Sequence, residues 1–425
     1  MRNMREDIIL IFVILMLVVS VGCGKGPVEK RTVIRFFNPQ GLPEEIEIMH
    51  EIAGKFEEDN PDIKVKIESG GRPDKVLVEM AGGSPPDVYL AWTEIAPVAA
   101  KNALLELDEY VQKYQLDLDE YFSFAVDFST YNGKLYSLPV NMHIPVVFYN
   151  KDMFERSGIP YPDGSWAWDD YYRIAKELTR DFDGNGRRDQ FGTHLASLNP
   201  WLLPNRGYVI DIRNKSVNIR SKEAIETLEF AYKLHRDCCP TLSEMKTFGG
   251  VGEVDPFRAG RLGMLMQTAA YVSIFSEIKD FRWDIVPLPV PPHGQRINIV
   301  SGDYLAIPKG AKHPEEAFRF VKYYCGKEGM EILASHKRFI LSYKQAAYKS
   351  FVPPPENMNC LRSIIEEPYA FDLLHGQADT GWYEIIDSFY RGWQLILLGE
   401  TDFDEGINRM EKEMNRQLKQ TFGQD

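Results

Sequence analysis

The chain has 425 residues, 44% hydrophobic and 26% charged, an ordinary globular balance that excludes disorder and leaves enough length for two domains. Its formal net charge of −13 argues against nucleic acid and anionic headgroups as partners and favours a neutral or cationic ligand. An aromatic share of 12% suits either stacking surfaces or large cores.

At the N-terminus, Arg2 and Arg5 precede an apolar run from Ile8 to Val21. Those 14 residues would make a helix about 21 Å long at ~1.5 Å per residue, too short for a hydrocarbon core of about 30 Å. A basic start, a short apolar segment and small residues before a cut describe a secretory signal peptide over residues 1–22. Gly22-Cys23 resembles the lipobox of bacterial lipoproteins, although Ser20 stands where Leu is usual and Glu6 and Asp7 add acid to the basic start. The expectation is a lipidated Cys23, a linker over 23–30 and an extracytoplasmic, membrane-tethered protein. An ordinary cleaved signal or an uncleaved anchor is the alternative. Of the other cysteines, vicinal Cys238 and Cys239 cannot bond to each other without strain, and there is no CxxC pair for zinc or redox chemistry. One long-range bridge involving Cys325 or Cys360 is allowed outside the cytoplasm; buried thiols are the alternative.

Next, Val33, Ile34, Phe36 and Phe37 predict a strand. Pro43-Glu44-Glu45 opens a helix with Met49, Ile52, Ala53 and Phe56 on its apolar side, and Asn60-Pro61 stops it. Ile63, Val65 and Ile67 alternate with Lys64 and Lys66 in a second strand, completing a βαβ unit. A helix from Lys75 to Met80, a Gly-Pro turn and a strand from Val88 to Leu90 continue the α/β alternation. At the far end, Asp404–Lys419 is an amphipathic helix with Ile407, Met410, Met414 and Leu418 on one face.

Four blocks in order then resemble the extracellular solute-binding proteins of ABC transporters, the large sugar-binding family that includes maltose-binding protein. They are PPDVYLAW at 85–92, NGKLYSLPVNMHIPVVFYNKDMFERSGIPYP at 132–162, FRAGRLGMLMQTAAY at 257–271 and SGDYLAIPKGAKHPEEAFRFVKYY at 301–324. The resemblance implies a two-lobed α/β fold of the periplasmic-binding-protein type (type II), with a hinge and a ligand cleft between lobes. It places the first crossing near Leu138-Pro139-Val140, the return near Val300-Ser301-Gly302 and a third at 368–379. Lobe one is then 31–139 plus 301–367, and lobe two 140–300 plus 368–425.

A sugar offers hydroxyls at its edge and C–H groups on its faces, so a sugar site needs aromatic platforms and planar polar side chains. Trp92 ends a strand at the sheet edge where α/β folds bind ligands, as a platform or a packing residue. Asn38 and Gln40 follow the first strand, as hydroxyl partners or helix caps. The resemblance further implies contacts from Asn141 and His143 after the first crossing, from Gln267 and Tyr271, from Asp303 beside Gly302, from Trp201 in lobe two and from Trp382 near the last crossing. His143 is equally readable as a core histidine, Asp303 as a cap, and Trp168 as a packing residue.

Asp181, Asp183, Asn185, Arg187 and Asp189 resemble the first nine positions of an EF-hand loop, with Gly186 at the sharp turn. Position 12, where a bidentate Glu belongs, is Gly192. The expectation is a structural calcium using the Arg187 carbonyl and a carboxylate from elsewhere, against a plain polar turn before a strand near Phe191. No cofactor is expected for function itself. Without a GxSxG, HExxH or P-loop motif, the reading is capture rather than catalysis. It makes the protein a monomer that binds a carbohydrate by lobe closure and delivers it to the permease subunits of an ABC transporter. The rivals are the same fold with a polyamine, peptide or metal ligand, a surface-anchored glycosidase, and a sensory lipoprotein.

Overall fold

The computed structural model describes residues 31–423 except 40–41, 72–74, 93–94, 196, 213, 247, 249–253, 294–300, 352, 354 and 367–380. The signal segment, Cys23, the linker, Gln40 and the crossing expected at 368–379 lie outside the described residues.

Alternation builds the first sheet. In β1 (Thr32–Asn38), Ile34 and Phe36 turn inward while Val33 stays exposed; in β2 (Ile63–Ser69), Ile63 and Val65 turn inward while Lys64 and Lys66 face water. The two run parallel with Ile34 opposite Val65, and β3 (Val88–Ala91), buried throughout, joins β1 on its other side. Between β1 and β2 lies helix α1 (Pro43–Asp59). Pro43 presets its first turn, Glu44 and Glu45 face the positive end of its dipole, and Ile48, Met49, Ile52, Ala53 and Phe56 are buried. Asn60 ends the helix by donating both its backbone N–H and its Nδ2 to the Phe56 carbonyl, each at 2.9 Å.

The chain continues through β4 (Ser137–Pro139), β5 (Pro145–Asn150), α2 (Trp168–Leu178), α3 (Lys222–Cys238), β6 (Met264–Thr268), β7 (Trp283–Val286), β8 (Tyr304–Ala306) and α4 (Pro314–Cys325). The first sheet has the order β2-β1-β3-β8-β4, with β8 antiparallel to both neighbours. Phe36, Phe56 and Phe320 of α4 meet edge to face at 5.2–5.5 Å in its core. Each buried aromatic of this kind contributes about 1.5–3 kcal/mol through apolar burial.

The second sheet, β6-β5-β7, is antiparallel and centred on β5. Trp168 stacks on Phe230 of α3 at 4.5 Å and meets Trp201 at 5.4 Å, so it packs. Two further helices, α5 (Gly381–Leu397) and α6 (Phe403–Phe422), lie against each other and against α3. Ile407, Met410, Met414 and Leu418 of α6 are buried. Gly392 lets the pair approach closely: a Cβ there would lie 2.1 Å from Met410 Cγ. Residues near Phe191 make a single bridge to Leu262 rather than the expected strand. Cys238, Cys239 and Cys325 are buried free thiols, so none of the three takes part in the long-range bridge the sequence allowed.

Three backbone stretches meet between the sheets. Val140 N–H donates to Asp303 O at 2.8 Å, Met142 N–H to Ile340 O at 2.7 Å and His143 N–H to Ser301 O at 2.7 Å. Ser342 N–H returns a bond to Val140 O at 3.1 Å. The stretch 340–342 was not anticipated as a hinge element. Beyond it, Asn357 N–H donates to Asp284 Oδ1 at 2.9 Å, and Asn357 Nδ2 to Ile285 O at 2.8 Å. Residues 356–359 thus sit on β7 of the second sheet, whereas the sequence reading kept everything to 367 with the first.

Gly302 permits this convergence, because a Cβ there would lie 2.2 Å from the Asn141 carbonyl oxygen. Gly302→Ala should therefore cost about 1–3 kcal/mol by overpacking, read as a lower midpoint in urea. Gly54→Ala, on α1 with nothing within 4 Å of the new methyl, should instead raise stability by about 0.5–1 kcal/mol. Equal effects from the two would contradict the close approach.

Candidate functional site

The crossing stretches form the floor of a crevice between the two sheets. Asn141 and Asp303 grip each other there: Asn141 Nδ2 donates to Asp303 Oδ2 at 2.7 Å, and Asp303 N–H donates to Asn141 Oδ1 at 3.1 Å. Both are nearly buried, 4% and 2% exposed, so they present little beyond an edge to the crevice. His143, half-exposed, holds Nε2 3.8 Å from Asp303 Oδ1 and Nδ1 3.4 Å from Ser301 Oγ.

Two cavities open along this floor, sharing His143 and Thr268. The smaller, about 190 Å³, is bordered by Asn141, Asp303, Tyr271, Glu45 and Arg338. Glu45 arrives from the first turn of α1, and Arg338 from the stretch leading to the hinge; Arg338 Nη2 lies 3.9 Å from Glu45 Oε1. Burial raises the Glu45 carboxyl above the ordinary carboxylate range; Arg338 opposes that shift and the Asp303 charge adds to it. Tyr271 ends a 3₁₀ turn after β6, its ring tilted on Phe275 at 5.9 Å.

The larger cavity, about 280 Å³, is bordered by His194, Trp201, Gln267, Thr268 and Ser301. Burial pushes the His194 imidazole down to about 4, so it is neutral at physiological pH. Its Nδ1 is sealed from water without a hydrogen-bond partner among the described residues. Gln267 Oε1 accepts the Thr268 N–H at 2.9 Å, which orients the amide. Trp201, 2% exposed, belongs to the aromatic core and gives this cavity only an edge.

The sequence candidates thus separate. Asn141, His143, Trp201, Gln267, Tyr271 and Asp303 are brought together around the crevice. Trp92 stands 37% exposed at the C-terminal end of β3, the same sheet edge from which the chain leaves β1 for α1. Asn38 is fully buried, with Nδ2 3.1 Å from Met49 Sδ, and packs beneath α1 instead of facing a ligand. Trp382 is a correction: it is 2% exposed, its ring 4.9 Å from that of Phe422, in the core between α5 and α6. Glu45, His194 and Arg338 were missed. Glu45 read as a dipole-matching acid, and only its place at the C-terminal edge of the first strand could have marked it.

The EF-hand-like loop lies apart from the crevice, between α2 and the Phe191 bridge. Carboxylate oxygens of Asp181, Asp183 and Asp189 all fall within 4.8 Å of one another. Asp181 accepts the N–H groups of Gly184 and Gly186, each at 2.8 Å, which holds its carboxyl below the ordinary range. Asn185 N–H donates to Asp183 Oδ1 at 3.0 Å, and Arg187 N–H to Asn185 Oδ1 at 2.8 Å.

Residues 42–331 match the family model described as bacterial extracellular solute-binding protein. The chain is 23% identical over 350 residues to an arabinooligosaccharide-binding protein of Bacillus subtilis (strain 168), covering 77% of each chain. It is 24% identical over 354 residues to an uncharacterized lipoprotein of Streptomyces antibioticus, covering 78% of this chain and 75% of that one. Among solved structures, an ABC substrate-binding protein from Listeria monocytogenes in complex with cycloalternan superposes with a TM-score of 0.77 at 22% identity, covering 91% of this chain and 99% of that one. With the family model spanning most of its length and two α/β units meeting at a hinge, the chain belongs to the bacterial extracellular solute-binding proteins and has their two-lobed fold.

Proposed function

We propose that this protein captures a carbohydrate in the crevice and hands it to the permease of an ABC transporter. The observation that carries the reading is the crevice itself. Planar hydrogen-bonding groups (Asp303, Arg338 and Glu45) border the smaller cavity with Tyr271, and Gln267 borders the larger one beyond His143 and Thr268, the combination that a sugar's hydroxyl edge and C–H faces call for. The B. subtilis and L. monocytogenes proteins, whose names or bound molecule are sugars, support it. A ligand that touches both lobes favours the closed form, and closure is what a permease would recognise. We assign ligand contact to His143, Gln267, Tyr271 and Asp303 in the floor and walls and to Trp92 at the rim.

A thermal-shift screen against a sugar panel tests the reading. A sugar at 100 times its Kd should stabilise the protein by about 2.7 kcal/mol; silence across all sugars with a shift from a polyamine or peptide would overturn it. Trp92→Ala should weaken binding of the active sugar about twofold to twelvefold, as expected from the ~0.5–1.5 kcal/mol of an aromatic contact, at unchanged stability. Trp382→Ala should do the reverse, lowering stability by about 3–5 kcal/mol while the folded fraction binds normally.

Two accessory features belong to the same proposal. Cys23 carries a lipid, so the mature protein stays at the membrane near its permease; the basic-apolar-Gly-Cys pattern and the likeness to a lipoprotein support this. Metabolic labelling with a fatty acid should mark the wild type and not Cys23→Ala; an unlabelled wild type would refute it. The 181–189 loop takes a structural calcium on Asp181, Asp183, Asn185, the Arg187 carbonyl and Asp189, a set of hard oxygen donors suited to that ion. Calcium should raise the melting temperature and a chelator reverse it, with both effects lost in Asp183→Ala; a melting temperature indifferent to calcium would remove the site.

A further inference from the structure

We propose that a polar groove at the far end of the first lobe binds the phosphoethanolamine headgroup of a membrane lipid. Bound there, the lipid rests this end of the protein on the bilayer and leaves the crevice facing outward. The membrane setting rests on the lipid anchor proposed at Cys23; the chemistry of the groove does not.

Position comes first. Helix α1 has its first turn at the crevice, where Glu45 borders the smaller cavity, and its last turn at the groove, through Phe56, Asp59 and Asn60. Its 17 residues separate the two by about 25 Å at ~1.5 Å per residue. The N-terminal end of β1 lies beside the groove. Thr32 N–H donates to Asp62 O and Arg31 Nε to Pro61 O, each at 2.8 Å. Arg319, which borders the groove, donates to Asp62 Oδ2 through Nη1 at 2.7 Å and to Asn60 Oδ1 through Nη2. Seven residues, 24–30, separate Arg31 from Cys23. At ~3.3–3.6 Å each they span at most about 25 Å, so a lipid on Cys23 keeps this end of the lobe near the membrane.

Chemistry comes next. The groove holds about 540 Å³, inside the ~300–1,000 Å³ of ordinary ligand clefts. Its charges are of both signs and come mostly from different elements. Asp59 ends α1, and Asp117 and Glu120 stand on the stretch before Tyr121. Arg319 and Lys322 come from α4, and Lys327 opens the helix that follows it. Glu328 adds a fourth carboxylate to set against the three cations. That near balance disfavours a partner carrying one sign of charge alone.

A phosphoethanolamine headgroup uses both sets. Its ammonium carries three N–H donors for Asp117 and Glu120, which the quaternary ammonium of choline lacks. Its phosphate pairs with Lys322 and Lys327. Tyr114 and Tyr323 add aromatic faces beside these charges. The Tyr114 ring already attracts cations, with Lys113 Nζ 5.3 Å and Lys322 Nζ 5.8 Å from its centroid. An anionic headgroup without the ammonium leaves the carboxylates facing its charge, and also meets the chain's net charge of −13.

Flotation with lipid vesicles tests this on the mature chain, residues 23–425, carrying Cys23→Ala so that no lipid anchor contributes. The vesicles are phosphatidylcholine alone, or phosphatidylcholine mixed with phosphatidylethanolamine or with phosphatidylglycerol. The expected result is binding about tenfold stronger to the phosphatidylethanolamine vesicles than to either of the others, the scale of a hydrogen bond to a charged group. Glu120 and Lys327 are exposed, so Glu120→Gln and Lys327→Gln should fold normally while each removes most of that preference. Lys412→Gln, on α6, should leave it unchanged. Equal binding to all three vesicles, stronger binding to phosphatidylglycerol, or a preference untouched by both groove variants would overturn the inference. So would binding to no vesicle, even if free phosphoethanolamine gave heat in calorimetry, because the groove would then serve a soluble ligand. With the anchor removed, a negative result leaves the lipidation of Cys23 standing, and an unlabelled wild type leaves the groove standing.

Discussion

The packing of three backbone stretches at the junction of the two sheets is the constraint on which the rest depends. Residues 140–143 lie between 301–303 and 340–342, joined by backbone hydrogen bonds of 2.7–3.1 Å. Such a junction joins the two sheets through few dihedral angles, with one apolar cluster running through it from the first sheet into the second. It also sets where the proposed ligand would lie, because the groups that close the floor of the crevice are carried on the crossing stretches themselves. Gly302 makes the convergence possible by leaving out a Cβ that would collide with the Asn141 carbonyl.

The same junction shapes the electrostatics. Asp303 is held by Asn141 on one side and faces His143 on the other, so one carboxylate both fixes the hinge and borders the smaller cavity. Glu45 reaches that cavity because α1 begins at the sheet edge where β1 ends, placing the first turn of the helix over the crevice. Burying Glu45 has a cost, visible in its raised carboxyl; Arg338 offsets part of it and the Asp303 charge adds to it. An arrangement with that residual tension suits a site that gains from hydroxyl donors more than a packed structural ion pair would.

Much of the fold was legible in the chain. The first βαβ unit follows from a period of two in β1 and β2 and a helical period in α1, with Pro43 and Asn60-Pro61 as punctuation. The amphipathic face of α6 was equally plain, because four buried residues recur at helical spacing. What was not legible depended on contacts distant in sequence. Trp382 resembled a ligand platform because its partner, Phe422, lies at the other end of a helical hairpin. The hinge stretch 340–342 is too short to show periodicity. His194 and Arg338 sit in irregular segments where no pattern separates a site residue from a surface one, and Asn38, read as a hydroxyl partner or a helix cap, is buried because α1 covers it in three dimensions.

The central claim is that one ligand bridges two lobes across this junction. Small-angle X-ray scattering of the purified protein, with and without its tightest-binding sugar at saturation, tests it most directly. A smaller radius of gyration and maximum dimension in the sugar-bound protein, reversed when the sugar is dialysed away, is the predicted result. A sugar that binds tightly while leaving the scattering of an open, two-lobed particle unchanged would show that the ligand rests on one lobe alone, and would contradict the account.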